Sequence, residues 1–427
     1  MWRDGDDSLR WITLRGLFAR IEEWCRQAKQ GWQDDDLGRD ALLNFQDKSS
    51  VLATFDLANI GVSQGSWGDF HGVVATAGTP VALDPGVARS EQLRGLWFQL
   101  GELESPPPRR LSEVLEHLNR GQRRHLEAQI AKRRKPDALV TSGGIDLVML
   151  CWARGGRPDL LVLALEGIGE GIQAKALLLG PSDENTLMLR AGPDAPTLSG
   201  RRAVIFGAGA LGGFVALTLA ESGLGVLDIV DADILTPGNI VRHVAGHWAV
   251  GHQKVAAVAA MVGHHAKWTK TNTFLEWPRT PAEIRTRIEH ADIVVDATGD
   301  GAFTASVAIV SQQEGRPLVT GALYRGGFLG RVRRQAHVDD TPLGRRSVSD
   351  RYPLIPPGDD AVDFATPEVG CSAPVNNAPP SAVLALSSLI VQSVIDVLTS
   401  RFELPDEIVE VYRPLPDEPP FNRIGRL

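Results

Sequence analysis

Short apolar segments alternate with longer segments of helical periodicity from Arg202 onward, and this alternation constrains the fold more than any other feature. The apolar segments predict strands at 203–207, 226–230, 292–296 and 317–321. The intervening segments predict helices near 209–223, 251–263, 281–289 and 302–314. Because successive parallel strands connect through a helix in right-handed βαβ units, we predict an α/β fold with a Rossmann-like parallel sheet.

At 427 residues the chain is long enough for two or three domains. Gly, Pro and Ser cluster near 190–200 and predict a boundary there, with an N-terminal α/β domain over 1–195 and a second domain over 196–427. Within the second domain, a segment at about 335–380 is irregular and rich in Pro, Asp, Gly and Arg. Such a long irregular segment inside a domain is typical of a functional loop.

Composition narrows the class of protein. Lys and Arg number 44 against 52 Asp and Glu, and this acidic balance argues against nucleic-acid and membrane-surface partners. The three cysteines lie far apart and form neither a disulfide framework nor a zinc-binding pair. The N-terminus lacks the apolar segment of a signal peptide, and the apolar stretch near 382–398 contains the polar residues of a packing helix. We therefore expect a soluble, cytoplasmic protein without zinc.

The segment after the first predicted strand has the spacing of a nucleotide-binding turn. Gly207, Gly209 and Gly212 follow that strand and open a helix. Glycines permit a sharp turn and let backbone N–H groups approach a phosphate at the helix N-terminus. The pattern fits dinucleotide dehydrogenases equally well, and Asp231 or Asp233 could hold a ribose hydroxyl in either class.

Residues further along the chain favour ATP over NAD. The segment 231–254 contains Asn239, Arg242 and Lys254, and Asp296 ends a later predicted strand. Ligands of parallel sheets bind at the carboxyl edge, where these side chains are expected to gather. Arg and Lys neutralise the charge of a triphosphate, and a carboxylate at this edge could hold Mg²⁺.

Together these motifs resemble the ThiF/MoeB superfamily, which includes the ubiquitin-activating enzymes. The resemblance rests on GxGxLG, D-x-D, N-x-x-R, G-x-x-K and D-x-T, and it covers roughly 200–413. The variant N-I-V-R-H with G-H-Q-K is most similar to bacterial members from CBASS-like and Bil-type ubiquitin-like conjugation operons, which implies antiviral defence. The family resemblance also implies that 196–427 is an active adenylation domain with a crossover loop at about 335–380.

The resemblance also implies roles for individual residues. Asp231 would bind the ribose of ATP with Asp233 beside it, and Asp296 would bind Mg²⁺. The residues implied to contact the ATP phosphates are Asn239, Arg242 and Lys254. Ala210 replaces a second glycine of the family pattern, and His243 replaces a Gln. The segment 296–300 replaces D-x-T-D-N, which leaves the contribution of Asp300 open.

The reaction implied by the resemblance acts on the C-terminal glycine of a ubiquitin-like protein. Adenylation by ATP would be followed by transfer to a cysteine as a thioester, and then to a conjugating enzyme. Cys371 lies in the segment that is similar to the crossover loop and is the predicted acceptor, acting with Arg242 and Lys254. Cys25 and Cys151 lie in apolar patterns and are expected in the core.

Relatives of this kind are usually homodimers, and we hypothesise that Arg190 contacts the ATP of a dimer partner. The N-terminal domain carries no nucleotide signature, and we interpret it as an inactive adenylation-like domain or a docking module. A metal site at His243 and His247 is disfavoured because no Cys or carboxylate ligand accompanies them.

Three other functions remain open. A sulfur-carrier-protein adenylyltransferase of the ThiF/MoeB type would stop at the adenylate or hand over sulfur. An NAD-dependent dehydrogenase would bind NAD and would not turn over ATP. A non-catalytic scaffold would keep the fold and bind a partner, although the presence of Arg242, Lys254 and Asp296 argues against it.

Overall fold

The computed structural model describes residues 13–30, 52–56, 66–73, 80–102, 108, 110–134, 143–154, 157–345, 365–366 and 375–427. They belong to two compact units, 1–186 and 187–427. Asp194 forms an ion pair with Arg401 at 2.9 Å, and Leu198 is fully buried in the core of the second unit. Asp194 and Leu198 therefore both pack with the second unit.

The N-terminal unit contains helices and an eight-stranded sheet. Its helices are α1 (Leu14–Gln30), α2 (Leu111–His117) and α3 (Arg120–Ile130). Its strands are β1 (Leu52–Phe55), β2 (Trp67–Val73), β3 (Val81–Pro85), β4 (Leu93–Glu102), β5 (Leu147–Arg154), β6 (Arg157–Glu166), β7 (Gln173–Ala176) and β8 (Leu178–Pro181). The strand order is β7-β6-β5-β4-β2-β3-β1-β8, and both parallel and antiparallel pairs occur in it.

A buried arginine joins two backbone segments of this unit. Arg133 follows α3 and donates from Nη2 to the Leu165 carbonyl oxygen (2.8 Å) and from Nε to that of Gly167 (3.2 Å). Its Nη1 also donates to the Ile145 carbonyl oxygen and lies 3.6 Å from the buried Asp146 carboxylate. Since its donors are used by backbone carbonyls, this cation is part of the packing.

The two described cysteines differ in environment. Cys151 on β5 is buried, as predicted, and burial raises the pKa of its thiol to about 12. Cys25 on α1 is exposed, so the prediction that it belongs to the core is wrong. The apolar side of α1 is itself uncovered, since Leu14, Phe18 and Trp24 are 73%, 58% and 52% exposed.

The C-terminal unit contains the predicted strand and helix alternation. Its helices are α4 (Glu184–Met188, which spans the division), α5 (Ala195–Leu198), α6 (Ala210–Glu221), α7 (Lys254–His265), α8 (Pro281–Ile288), α9 (Gly301–Gln313) and α10 (Pro380–Leu398). Its strands are β9 (Arg202–Phe206), β10 (Val226–Val230), β11 (Lys270–Phe274), β12 (Ile293–Asp296), β13 (Leu318–Tyr324), β14 (Leu329–Gln335), β15 (Ala365–Thr366), β16 (Val375–Asn376), β17 (Glu407–Val411) and β18 (Gly425–Arg426).

The main sheet of this unit is parallel on one side and antiparallel on the other. Its strand order is β11-β10-β9-β12-β13-β14-β17-β18, and the strands from β11 to β13 are parallel. The prediction of an α/β fold is therefore confirmed. The strand β14 pairs antiparallel with β13, because a short turn joins them instead of a helix. The pairs β14–β17 and β17–β18 are also antiparallel.

Helices cover both faces of this sheet. The side chains of α6, α7 and α10 form one core with it, and those of α8 and α9 form another. Among the described residues, α10 alone is long and apolar enough by composition to cross a membrane. In this fold 67% of its apolar window is buried, which agrees with the prediction that it is a packing helix.

Candidate nucleotide-binding site

The turn between β9 and α6 requires glycine at two positions. Gly207 has a φ of +93°, and a Cβ there would lie 3.1 Å from the carbonyl oxygen of Ala297. A Cβ on Gly212 would overlap the Gly207 carbonyl oxygen. Gly209 caps α6 and has open space where its Cβ would be. The turn is therefore tightly packed on its inner side and leaves room beside the helix N-terminus.

The middle of this turn is held from two directions. The Ala208 N–H donates to Asp231 Oδ2 at 2.7 Å, and the Ala208 carbonyl oxygen lies 2.9 Å from His243 Nε2. The Ala245 N–H donates to His243 Nδ1 at 3.0 Å, so we assign the neutral imidazole with its proton on Nε2. His243 is buried, and burial lowers its pKa, which favours this neutral form. The sequence marked His243 as a departure from a family pattern and as part of a disfavoured metal site, and neither reading predicted its contact with Ala208.

Asp231 connects the turn to the residues after β10. Its Oδ1 accepts the Asp233 N–H at 2.8 Å, and its carboxyl group is buried. Burial raises the pKa of Asp231, and the bonds from Asp233 and Ala208 oppose this shift. A carboxylate has about four acceptor positions, and these two bonds leave others for a ribose hydroxyl. The contact of Asp231 with a ribose stays a prediction.

Lys254 lies at the first turn of α7 and pairs with Asp233. Its Nζ is 2.8 Å from Asp233 Oδ2, and its backbone N–H donates to the Asp233 carbonyl oxygen at 3.0 Å. The lysine side chain is 10% exposed and that of Asp233 is 53% exposed. A phosphate that contacts Lys254 therefore shares it with Asp233 or displaces that carboxylate.

Asn239 and Arg242 lie on the 3₁₀ helix Pro237–Arg242, between these two segments of the site. Asn239 Oδ1 accepts the Thr236 N–H at 3.3 Å, and both Asn239 and Arg242 are half-buried. Arg242 Nη1 donates to the carbonyl oxygen of Ala378, just before α10, at 3.4 Å. This bond places the guanidinium group of Arg242 next to the start of α10.

Asp296, at the end of β12, is completely buried. Its Oδ1 accepts bonds from the Thr298 N–H (3.1 Å) and hydroxyl (2.7 Å). Its Oδ2 accepts the Thr304 hydroxyl and, at 3.3 Å, the Thr320 hydroxyl. Since both oxygens are buried and engaged, the carboxylate does not fit a magnesium ligand in this conformation. Asp300 is exposed and caps α9 through Oδ1 alone.

The structure thus joins some of the predicted site residues by direct contacts and leaves others apart. The glycine turn, Asp231, Asp233 and Lys254 are linked by direct hydrogen bonds. In the described part of the chain no group of three or more His, Cys, Asp or Glu side chains could hold a metal ion. Arg190 is exposed, and Cys371 lies outside the described residues.

Comparison with known proteins gives a family match and several relatives. The model of the ThiF family matches residues 187–412. The chain is 29% identical over 204 residues to the uncharacterized protein y4oA of Sinorhizobium fredii (42% of this chain, 34% of that protein). It is 24% identical over 229 residues to the ATP-dependent ubiquitin transferase-like protein Cap2 of Enterobacter hormaechei (53% and 37%).

A third relative is the adenylyltransferase and sulfurtransferase MOCS3 of Arabidopsis thaliana, 32% identical over 120 residues (28% of this chain, 26% of that protein). The matches thus span between about a quarter and a little over a third of the length of these curated relatives. Among solved structures, E. coli MccB with ATP is 14% identical with a TM-score of 0.43, covering 57% of this chain and 66% of that chain. At this TM-score, similarity of shape does not support an inference of function.

Proposed function

Because this chain belongs to the ThiF family, we propose that its C-terminal unit is an adenylyltransferase that activates the C-terminal glycine of a ubiquitin-like protein with ATP. One observation carries the proposal. Asp231 holds the glycine turn and the Asp233 backbone at once, and Asp233 in turn pairs with the buried Lys254. A turn suited to phosphate and a cation suited to phosphate are therefore parts of one hydrogen-bonded unit.

In the proposed reaction, a carboxylate oxygen of the glycine attacks the α-phosphorus of ATP. A carboxylate–phosphorus bond forms, and the bond from that phosphorus to the bridging oxygen breaks as pyrophosphate leaves with the electron pair. Lys254, Arg242 and the N–H groups of the turn would neutralise the phosphate charge. When bound, Mg²⁺ would supply further neutralisation of the phosphates, and the exposed Asp300 fits a contact to it better than the buried Asp296.

The second proposed step is thioester formation at Cys371. Its thiolate would attack the acyl carbon of the adenylate, and AMP would leave with the bonding electrons. The proposal also includes transfer of the acyl group to a conjugating enzyme. We further propose that the protein is a homodimer in which Arg190 enters the partner's site, and that it acts in the cytoplasm in antiviral defence. The name of the Cap2 relative supports the ubiquitin-like substrate class.

A sulfur-carrier-protein adenylyltransferase is the second candidate. The similarity to MOCS3, and to the probable adenylyltransferase/sulfurtransferase MoeZ of Mycobacterium tuberculosis (30% identical over 164 residues), favours it. The two candidates share the adenylate and differ in the second chemical step, since only the first candidate requires a thioester on this chain.

The test is ATP–pyrophosphate exchange with small Gly-terminated proteins encoded beside this gene. Lys254→Ala should lower the exchange rate by about a hundredfold or more, because a charge contact to the departing phosphates is lost. The control is Lys267→Ala, which removes an exposed lysine just after α7. Exchange that is equal in Lys254→Ala and the wild type would contradict the proposal.

A non-reducing gel separates the two candidates. With ATP and the modifier, the wild type and Cys25→Ala should form a reductant-sensitive adduct, and Cys371→Ala should not. Exchange without any Cys371-dependent adduct would favour the sulfur-carrier candidate.

A further inference from the structure

A row of side chains crosses the C-terminal sheet at the level where the glycine turn begins. Phe206 is opposite Asp296, Asp296 is opposite Thr320, Thr320 is opposite Arg333, and Arg333 is opposite Glu407. Directly opposed residues of neighbouring strands lie on the same face of a sheet. Arg333 therefore lies on the face that carries Asp296, about three strand spacings of roughly 4.8 Å from Phe206.

The anions nearest to Arg333 are already engaged. Glu407 accepts a hydrogen bond from Arg331 Nε at 2.6 Å, and the Asp296 carboxylate accepts its bonds from threonines. On the opposite face, the buried Arg334 pairs with Asp340 at 3.0 Å.

The side chain of Arg333 forms no hydrogen bond and no ion pair with any residue of the described ranges, although the residue is half-buried on β14. Burial is the main cause that lowers the pKa of its guanidinium, and the neighbouring Arg331 adds to that effect. An arginine remains charged in proteins even so. A charged group with five donors is thus held in a partly desolvated position without an acceptor from the described part of the chain, which is energetically costly unless water or a ligand supplies one.

We propose that Arg333 is a binding site for a carboxylate of the incoming acyl substrate. The planar fork of a guanidinium matches the two oxygens of a carboxylate, and partial burial strengthens the pairing over that in water. The proposal rests on the proposed function, because it assumes a peptide tail that ends at the nucleotide. Since the terminal carboxylate must reach the nucleotide in the proposed reaction, the carboxylate at Arg333 is that of an acidic side chain just before the terminal glycines.

The test is a binding titration of the full chain with a fluorescein-labelled peptide ending in Glu-Gly-Gly with a free carboxylate. The wild type should bind it, and Arg333→Gln should bind it about tenfold or more weakly, as is usual when a charge-assisted bidentate pair is lost. Arg333→Lys keeps the charge and loses the fork, so its affinity should lie between the two. Arg124→Gln removes an exposed arginine of α3 and is the matched control for net charge, with unchanged affinity.

Two further peptides identify the carboxylate that is bound. Loss of the Arg333 effect with Gln in place of Glu supports the side-chain assignment, and loss of the effect with the C-terminal amide instead contradicts it. A wild type that does not bind the peptide, or an Arg333→Gln variant that binds it equally well, overturns the proposal. So does a weakened ATP affinity in Arg333→Gln with unchanged peptide affinity, since Arg333 would then contact the nucleotide. Pyrophosphate exchange by the wild type tests the proposed function separately.

Discussion

The two units of this protein both contain an eight-stranded mixed sheet, yet they use their buried charges differently. In the N-terminal unit, Arg133 donates to backbone carbonyls and lies beside Asp146, both within the packing. In the C-terminal unit, Asp231 and Lys254 are buried at the end of a parallel strand and the start of a helix, beside an open glycine turn. The number of strands therefore does not distinguish the two units. They differ in that the C-terminal unit has buried polar groups at the carboxyl edge of its parallel strands, where ligands bind.

The largest effect is expected where a buried charge serves packing alone. Arg133→Met should lower the free energy of unfolding by about 3–5 kcal/mol, because Asp146 and several carbonyls lose their cation. Urea denaturation measures this change, and the exposed neighbour Arg134→Met is the matched control. Pyrophosphate exchange per folded molecule should be unchanged. A lower exchange rate would show that the N-terminal unit takes part in the reaction, and the contrast between the two units would fail.

The next prediction compares two glycines of the turn, one needed for packing and one that leaves room for a ligand. Gly212→Ala should destabilise the chain by about 1–3 kcal/mol, because its Cβ would overlap the Gly207 carbonyl oxygen. Gly209→Ala has open space for its Cβ and should leave the midpoint of urea denaturation close to that of the wild type. It should instead weaken ATP affinity, as a methyl group is added beside the helix N-terminus. Equal loss of stability in both variants would contradict the described turn.

The smallest effect depends on pH. Burial lowers the pKa of His243, so the unfolded chain takes up a proton on this residue before the folded chain does. The stability contribution is therefore present above the unfolded pKa of about 6.5 and is lost as pH falls from that value toward the lower folded pKa. Relative to His243→Gln, the wild type should lose about 1 kcal/mol per pH unit in that window.

Denaturation of both proteins at several pH values from neutral to mildly acidic measures the difference, and the other histidines cancel in it. Gln has a donor and an acceptor in one side chain, so it is the conservative replacement for the bonds to Ala208 and Ala245. Parallel pH dependence of the two proteins would exclude His243 as a titrating support of the turn.

Much of the C-terminal unit was predictable because its signals are local. The strand predicted at 226–230 is β10, and the helix predicted at 302–314 is α9 within one residue at each end. Capping, periodicity and the glycine spacing all depend on neighbours in the sequence. The strands β11 and β14 were missed, because the first is polar and partly exposed and the second carries three arginines.

The contacts of individual site residues were less predictable. The sequence placed Asp296 at the edge of the sheet, where a metal ligand was a reasonable interpretation. Its burial under three threonine hydroxyls depends on Thr304 in the next helix and Thr320 in the next strand. No local pattern signals that convergence, because hydroxyl donors of this kind are common at exposed positions as well.

The sequence by itself determined most of the alternation of strands and helices, the glycine turn and the family of the C-terminal unit, because these depend on spacing along the chain. Tertiary structure decided which polar atoms meet, as with Ala208 and His243, which are 35 residues apart. It also decided which cation is left without an internal acceptor among the described residues. Glu407 lies opposite Arg333 but accepts its hydrogen bond from Arg331, and Arg334 pairs with Asp340 on the other face. Opposition across strands is set by the register of the sheet, and that register exists only in the folded chain.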